Sequence, residues 1–134
     1  MNNKEIDIDT DVVKAQLHTS TYAPNQDTHK YRSDLTNELS TASGYTAAGV
    51  TLGSPVSAYT AGTNVWNFDA NDAVWTITTP LITFRYCVVY DSSPATDATR
   101  PLLMYVDTGG DQTIQSTTLT FQWSASGLMQ TTVS

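Results

Sequence analysis

Apolar residues recur at every second position through most of this chain, the period of a half-buried β-strand and not of a helix. In DVVKAQL, residues 11–17, Val13, Ala15 and Leu17 share one parity while Val12, Lys14 and Gln16 share the other. The same alternation sets Ala73, Trp75 and Ile77 against Thr76 and Thr78, and Leu119, Phe121 and Trp123 against Thr118, Thr120 and Gln122. NVWNFDA puts Trp66 and Phe68 on one face, and with AVWTIT it reads as a hairpin meander. GYTAAGVTLGSPVSAY reads as a glycine-flanked strand with Val50, Leu52, Val56 and Ala58 on one parity, interrupted by Ser54 and Pro55, which mark an edge or a bulge. PLITFRYCVVYD is apolar on both parities, with Ile82, Phe84, Tyr86, Val88 and Tyr90 against Leu81, Cys87 and Val89, so it is predicted to be central and covered on both sides. Arg85 inside it needs a partner, because an unpaired buried charge is costly. LLMYVD and the final LMQTTV complete the strands.

Turn residues separate these runs. Pro24 and Asn25, TAGTN, Asn71-Asp72, the polar loop from Ser92 to Pro101, DTGGDQT and SASG each carry turn chemistry, and Gly109-Gly110 between Asp107 and Asp111 reads as a hairpin turn. One stretch departs from the strand period. Asp27 or Thr28 can cap a helix, and Tyr31, Leu35 and Leu39 recur at four-residue spacing, which predicts a short helix with one apolar stripe. About eight short strands and one short early helix predict an all-β fold, an antiparallel β-sandwich or barrel. The expected organisation is an acidic N-terminal arm, residues 1–10, followed by a single β domain over 11–134.

Composition narrows the function. Charged residues make up only 14% of the chain, while Thr and Ser supply roughly a quarter, a mixture that suits exposed strand faces. Thirteen acids against 6 bases give a formal net charge of -7, and the bases are not clustered, so direct nucleic-acid binding is not expected. MNNKEIDIDT has no basic stretch followed by an apolar one, and no run is long enough to span a bilayer, so neither a signal peptide nor a membrane partner is expected. Cys87, the single cysteine, lies in an apolar run and reads as a buried structural thiol.

Three places invite a chemical reading. Asp7, Asp9 and Asp11 alternate around Ile6 and Ile8, but no wrapping turn with a central glycine accompanies them, so the arm reads as solvated or partner-docking and no metal is expected. The segment from Tyr22 to Leu39 packs His29, several charges and two tyrosines together, yet holds no second histidine at metal spacing and no nucleophile motif. Asp107 and Asp111 lack the third or opposing group that a cation loop or a glycosidase pair requires. No catalytic residue, metal or cofactor is therefore predicted, and the chain is not expected to be an enzyme.

Longer runs carry a resemblance. TYAPNQDTHKYRSDLTNELSTASGYTAAGVTL, then VWTITTPLITFRYCVVYD, LLMYVDTGGDQT and TFQWSASGLMQTTV, resemble small structural proteins encoded in the head-gene modules of tailed bacteriophages, the minor capsid or head decoration proteins. The similarity runs from Val12 onward, and its most specific parts are Pro-Asn-x-Asp-Thr-His at 24–29, Gly-Tyr-Thr-x-x-Gly at 44–49 and Arg-Tyr-x-Val-Val-Tyr-Asp at 85–91; the acidic arm has no counterpart. The resemblance implies a virion component on the capsid exterior, made in the bacterial host cytoplasm, with the major capsid protein as partner. Self-association, such as a trimer at a local threefold, would match the lattice. Loops and termini carry binding on rigid β scaffolds. The candidate contacts are accordingly Asp7 and Asp9 on the arm, Tyr22, Pro24, Asn25, Asp27 and His29 on the first loop, and Pro94, Asp97 and Arg100 on the second. A tail or neck component is the alternative in the same class. A carbohydrate-binding module would need Trp66, Trp75 or Trp123 exposed as a stacking platform, and their parity points them inward.

Overall fold

The computed structural model describes residues 10–123 and 129–132, and it is all-β with antiparallel strand pairing. The strands are β1 (Val13–His18), β2 (Val50–Thr51), β3 (Val56–Thr60), β4 (Val65–Asp69), β5 (Ala73–Ile77), β6 (Ile82–Asp91), β7 (Leu102–Ile114), β8 (Thr117–Phe121) and β9 (Met129–Thr132). They form a four-stranded sheet in the order β2-β1-β6-β7, a three-stranded sheet β3-β4-β9 and the pair β5-β8.

The predicted alternation holds where both faces have settled surroundings. In β5, Ala73, Trp75 and Ile77 are buried while Val74 and Thr76 are exposed. Val13, Ala15 and Leu17 of β1 join Phe84, Cys87 and Val89 of β6, Trp75 of β5 and Phe68 of β4 in one apolar core. Rings meet across it: Phe121 of β8 lies 5.8 Å from Phe84 and 6.1 Å from Trp75, centre to centre. β6 is central and covered on both sides, as its two-sided apolar sequence requires. Cys87 is buried in this core, and burial pushes its thiol up to about 12, so it packs as a small apolar group.

Several expectations change. β6 does not keep one parity, because its register against β7 shifts between Phe84 and Tyr86. Phe84 therefore faces the main core, whereas Tyr86 and Val88 face a second cluster with Tyr22 on the other side of the sheet. The shift is absorbed at Asp107–Gln112 of β7, so Gly109-Gly110 lies inside a strand irregularity and not in a hairpin turn. Gly109 supplies the φ of 86° that the irregularity needs, Asp107 Oδ1 accepts from Gly109 N at 2.8 Å, and Arg85 closes a two-pronged pair with Asp107 at 2.9 and 3.2 Å. The turn itself comes at Gln115-Ser116, between β7 and β8, with Ser116 at φ 50°.

β4 and β5 do not form a hairpin with each other. β4 pairs with β3 and β9, β5 pairs with β8, and Ala70–Asp72 carries the chain between the sheets. The glycine-flanked run splits into β2 and β3. Leu52 is buried, while Val56, on the same parity, is 48% exposed, because Ser54 and Pro55 break the strand between them. The early helix is a single 3-10 turn, Arg32–Asp34, and the stripe predicted for it does not share a face. Leu39 belongs to the main core, Leu35 packs on the second cluster, and Tyr31 bridges Pro101.

Two glycines let the connections lie flat on the strands. A Cβ at Gly49 would collide with the Ala15 carbonyl of β1, one at Gly44 with the Thr76 carbonyl of β5, and both residues have positive φ, 83° and 89°. Gly49→Ala should lower stability by about 2 kcal/mol or more, read as a fall in the urea midpoint at unchanged slope. Gly62→Ala, at a position with nothing within 4 Å, should stay within about 0.5 kcal/mol of the parent.

Candidate functional site

The outer face of β1 and β6 is covered by irregular chain, and there the polar residues converge. Residues 19–39 meet the backbone of β1 only at their ends, through Thr19 N to Asn37 O and Leu39 N to Leu17 O, each 3.0 Å. Between those points the backbone groups are satisfied by turns and side chains. Asn25 Oδ1 accepts from Asp27 N and Thr28 N, and Asp34 Oδ2 accepts from Lys30 N and Tyr31 N. Those two N–H groups hold the Asp34 carboxyl below its usual range.

Arg32 is the hub. Its Nε donates to Gln16 Oε1 at 2.9 Å, Nη1 to Asp97 Oδ2 at 2.6 Å and Nη2 to Glu38 Oε2 at 3.3 Å, while its guanidinium lies 5.3 Å from the centre of the Tyr90 ring. Burial works against the Arg32 charge, yet Asp97, Tyr90 and Glu38 together keep its pKa raised. Asp97 also accepts from Arg100 Nη1 at 2.9 Å, and the Arg32 bond, with Arg100 behind it, holds its carboxyl below the usual range. Glu38 Oε1 accepts from the Tyr45 hydroxyl at 2.8 Å and from Ala48 N at 2.6 Å, and Tyr90 donates to Ala48 O at 2.7 Å. Arg32 thus ties the first loop, the second loop and the 38–48 connection to the sheet.

His18 lies beneath this network. Its Nδ1 is 2.7 Å from Thr36 O and its Nε2 is 2.6 Å from the Gln16 amide nitrogen. Arg32 can only donate, so Gln16 turns its oxygen to Arg32 and its NH2 to His18. The ring is therefore the neutral tautomer that donates from Nδ1 and accepts at Nε2. Burial lowers the His18 pKa, and a proton at Nε2 would face the Gln16 NH2 group. The alternation in β1 sets Gln16 on its polar parity, and the loop over that face buries it together with His18.

Beside the hub, a cleft of ≈ 550 Å³ opens between the first loop and β7. Tyr22, Pro24, Asn25 and His29 form its loop wall, and Val88 with Leu102–Tyr105 forms the sheet wall. Tyr22 is buried against Tyr86 and Val88, and its hydroxyl lies 3.0 Å from His29 Nδ1, the two rings stacking at 5.7 Å.

The candidate contacts from sequence therefore fall into one assembly. Pro24, Asn25 and His29 line the cleft, Asp27 is exposed on the turn above it, and Tyr22 serves as a buried wall. On the second loop, Pro94 O accepts from Arg100 Nε at 2.9 Å, and Arg100 and Asp97 are committed to the charge network. Asp7 and Asp9 lie outside the described residues. Trp75 is buried and Trp123 donates from its indole to Asn71 O, so neither forms a stacking platform, and the side chain of Trp66 lies outside the described ones. Sequence reading missed Gln16, His18, Arg32, Glu38 and Tyr45 as one network. It also missed Asp91, whose carboxyl is raised by burial and by Asp11 beside it. Among the described residues, no group of three or more His, Cys, Asp or Glu side chains is placed to hold a metal ion, and no helix is long and apolar enough to cross a membrane. Comparison with protein-family models, curated proteins and solved structures finds no match.

Removing the hub should loosen both loops together. Arg32→Ala should cost about 2 kcal/mol, below the range for a fully buried pair because Asp97 remains partly in water. Amide exchange should rise in residues 24–34 and 94–100 alike. His18 adds a pH dependence. Its folded pKa lies below the unfolded value of 6.5, so below that pH the unfolded chain binds a proton that the folded chain does not. Stability should therefore fall as pH drops through 6.5 and stop falling below the folded pKa, with a slope of at most about 1.4 kcal/mol per pH unit. Urea midpoints for the parent and His18→Gln should diverge in the parent's favour above pH 6.5 and converge on acidification through it.

Proposed function

We propose that this chain is a structural protein of a tailed-bacteriophage virion, a head decoration or minor capsid protein that binds the outside of the capsid lattice. The sequence resemblance to phage head proteins supplies the class. The observation that carries the reading furthest is that Arg32 locks both predicted contact loops, near residues 24–30 and 92–100, into one platform on the four-stranded sheet. Loops already fixed before docking lose little conformational entropy when a partner covers them. A protein that binds only the assembled lattice stabilises that lattice by linkage, and many copies make modest individual contacts sufficient.

Copy number tests this directly. Quantitative mass spectrometry of purified particles of the phage that encodes the chain should give a ratio to the major capsid protein near unity or a simple large fraction of it. A handful of copies per particle would move the protein to the neck or tail, and absence from the particle would remove the virion reading.

A further inference from the structure

β7 is an edge strand, and the cleft opens on its free side. In the order β2-β1-β6-β7 it pairs with β6 and, among the described residues, with no other strand. The Lys30–Tyr31 segment makes the first rungs on that side: Tyr31 bridges Pro101, and Leu102 N donates to Lys30 O at 2.9 Å. The loop then diverges toward Tyr22, and the gap it leaves is the cleft. Leu102, Leu103, Met104 and Tyr105 all line that gap. Side chains alternate between faces along a strand. Met104 packs on the main core, whereas Tyr105 pairs with Val88 of the opposite face, so a space touching both follows the strand's edge and meets its backbone. An unpaired edge flanked by apolar side chains is a template for another strand, and folded proteins cover such edges.

We propose that this edge takes the chain's own N-terminal segment, residues 4–9, as an added strand. The cleft lining holds no Asp, Glu, Lys or Arg, so it suits apolar side chains delivered on an extended backbone. KEIDID supplies them in strand register: Ile6 and Ile8 share one parity, and Glu5, Asp7 and Asp9 share the other. Added to β7, the segment turns both isoleucines toward Tyr22, Val88 and Tyr105 and leaves the acids in water. The reach is adequate. Val13 pairs with Asp91 and Tyr90 pairs with Leu102, so β1 starts at the end of the sheet where β7 starts. From β1 to the free side of β7 is three strand spacings, about 14 Å, which four extended residues cover, leaving Ile8 and Ile6 at the edge. The same segment of a second copy fits equally, as an exchanged arm. This inference goes beyond the virion reading and does not depend on it.

Amide exchange on the intact chain tests it. Replacing both isoleucines, Ile6→Asn with Ile8→Asn, should raise exchange at Leu103–Tyr105 about tenfold, and a chain lacking residues 1–9 should show the same rise. Protection retained at Cys87–Val89 of β6 confirms that each variant is folded. With protection retained there, unchanged exchange at Leu103–Tyr105 overturns the proposal. So does edge protection that appears only when capsid particles are added, because the occupant is then the partner. Dilution from about 100 to about 1 μM identifies the donor: loss of protection means a neighbouring copy's arm, and persistence means the chain's own, each supporting the assignment of the segment.

Discussion

The covered face of the four-stranded sheet depends on one guanidinium. A connection of some twenty residues without helix or ladder cannot satisfy its own backbone or bury a continuous stripe, so something must fix it to the strands. Arg32 does this because its donors diverge in a plane. One reaches Gln16 on β1, one Asp97 on the second loop and one Glu38 further along the connection, while the face of the group rests on Tyr90 of β6. A lysine could not span these acceptors with one geometry. The arrangement also sets the histidine beneath it, since the side of Gln16 turned to His18 is decided by the side turned to Arg32.

The strands are legible in the sequence because their causes are local. Alternation in β5 and the two-sided apolar content of β6 follow from whether one face or both are covered, and each reads directly from residue type. The helix is misread because three apolar residues at four-residue spacing have a second explanation. Tyr31, Leu35 and Leu39 go separately to a bridge, a small cluster and the main core. Nothing within the segment distinguishes one shared stripe from three separate anchors; the difference lies in what stands opposite each residue. Gln16 and His18 escape notice for the same reason. Polar residues alternating with apolar ones mark a solvated face unless another segment supplies partners, and those partners, Thr36 and Arg32, are sixteen and more residues away.

Parity in β6 fails for a reason that the sequence does contain. Gly109-Gly110 is turn chemistry in either reading, but a glycine pair inside a long strand can absorb a register shift as well as reverse the chain. Arg85 decides between them. A charged residue in the central strand needs a partner, and Asp107 supplies it across the β6–β7 ladder only if the chain continues past the glycines in β7. The candidate loops are easier to place than to connect. Pro24, Asn25, Pro94 and Asp97 all sit on loops as their residue types suggest, while their association depends on Arg32, which its own neighbours in sequence do not single out.

Two kinds of surface result from this division of labour. Around Arg32 the charges are mutually satisfied, so although the chain is acidic overall, the platform presents loops held by internal pairs and its affinity for a partner must come largely from shape and apolar contact. Along β7 the opposite holds. The side chains are apolar or neutral, and it is the backbone of the edge that offers hydrogen bonds. A partner that reads backbone must be extended, and one that fills the space between Tyr22 and Tyr105 must carry apolar groups at every second residue. The fixed loop and the open edge belong together physically: a loop free to collapse onto β7 would pair with the edge itself, and the Arg32 anchor, by holding the loop against β1 and the second loop, keeps that edge open beyond Leu102.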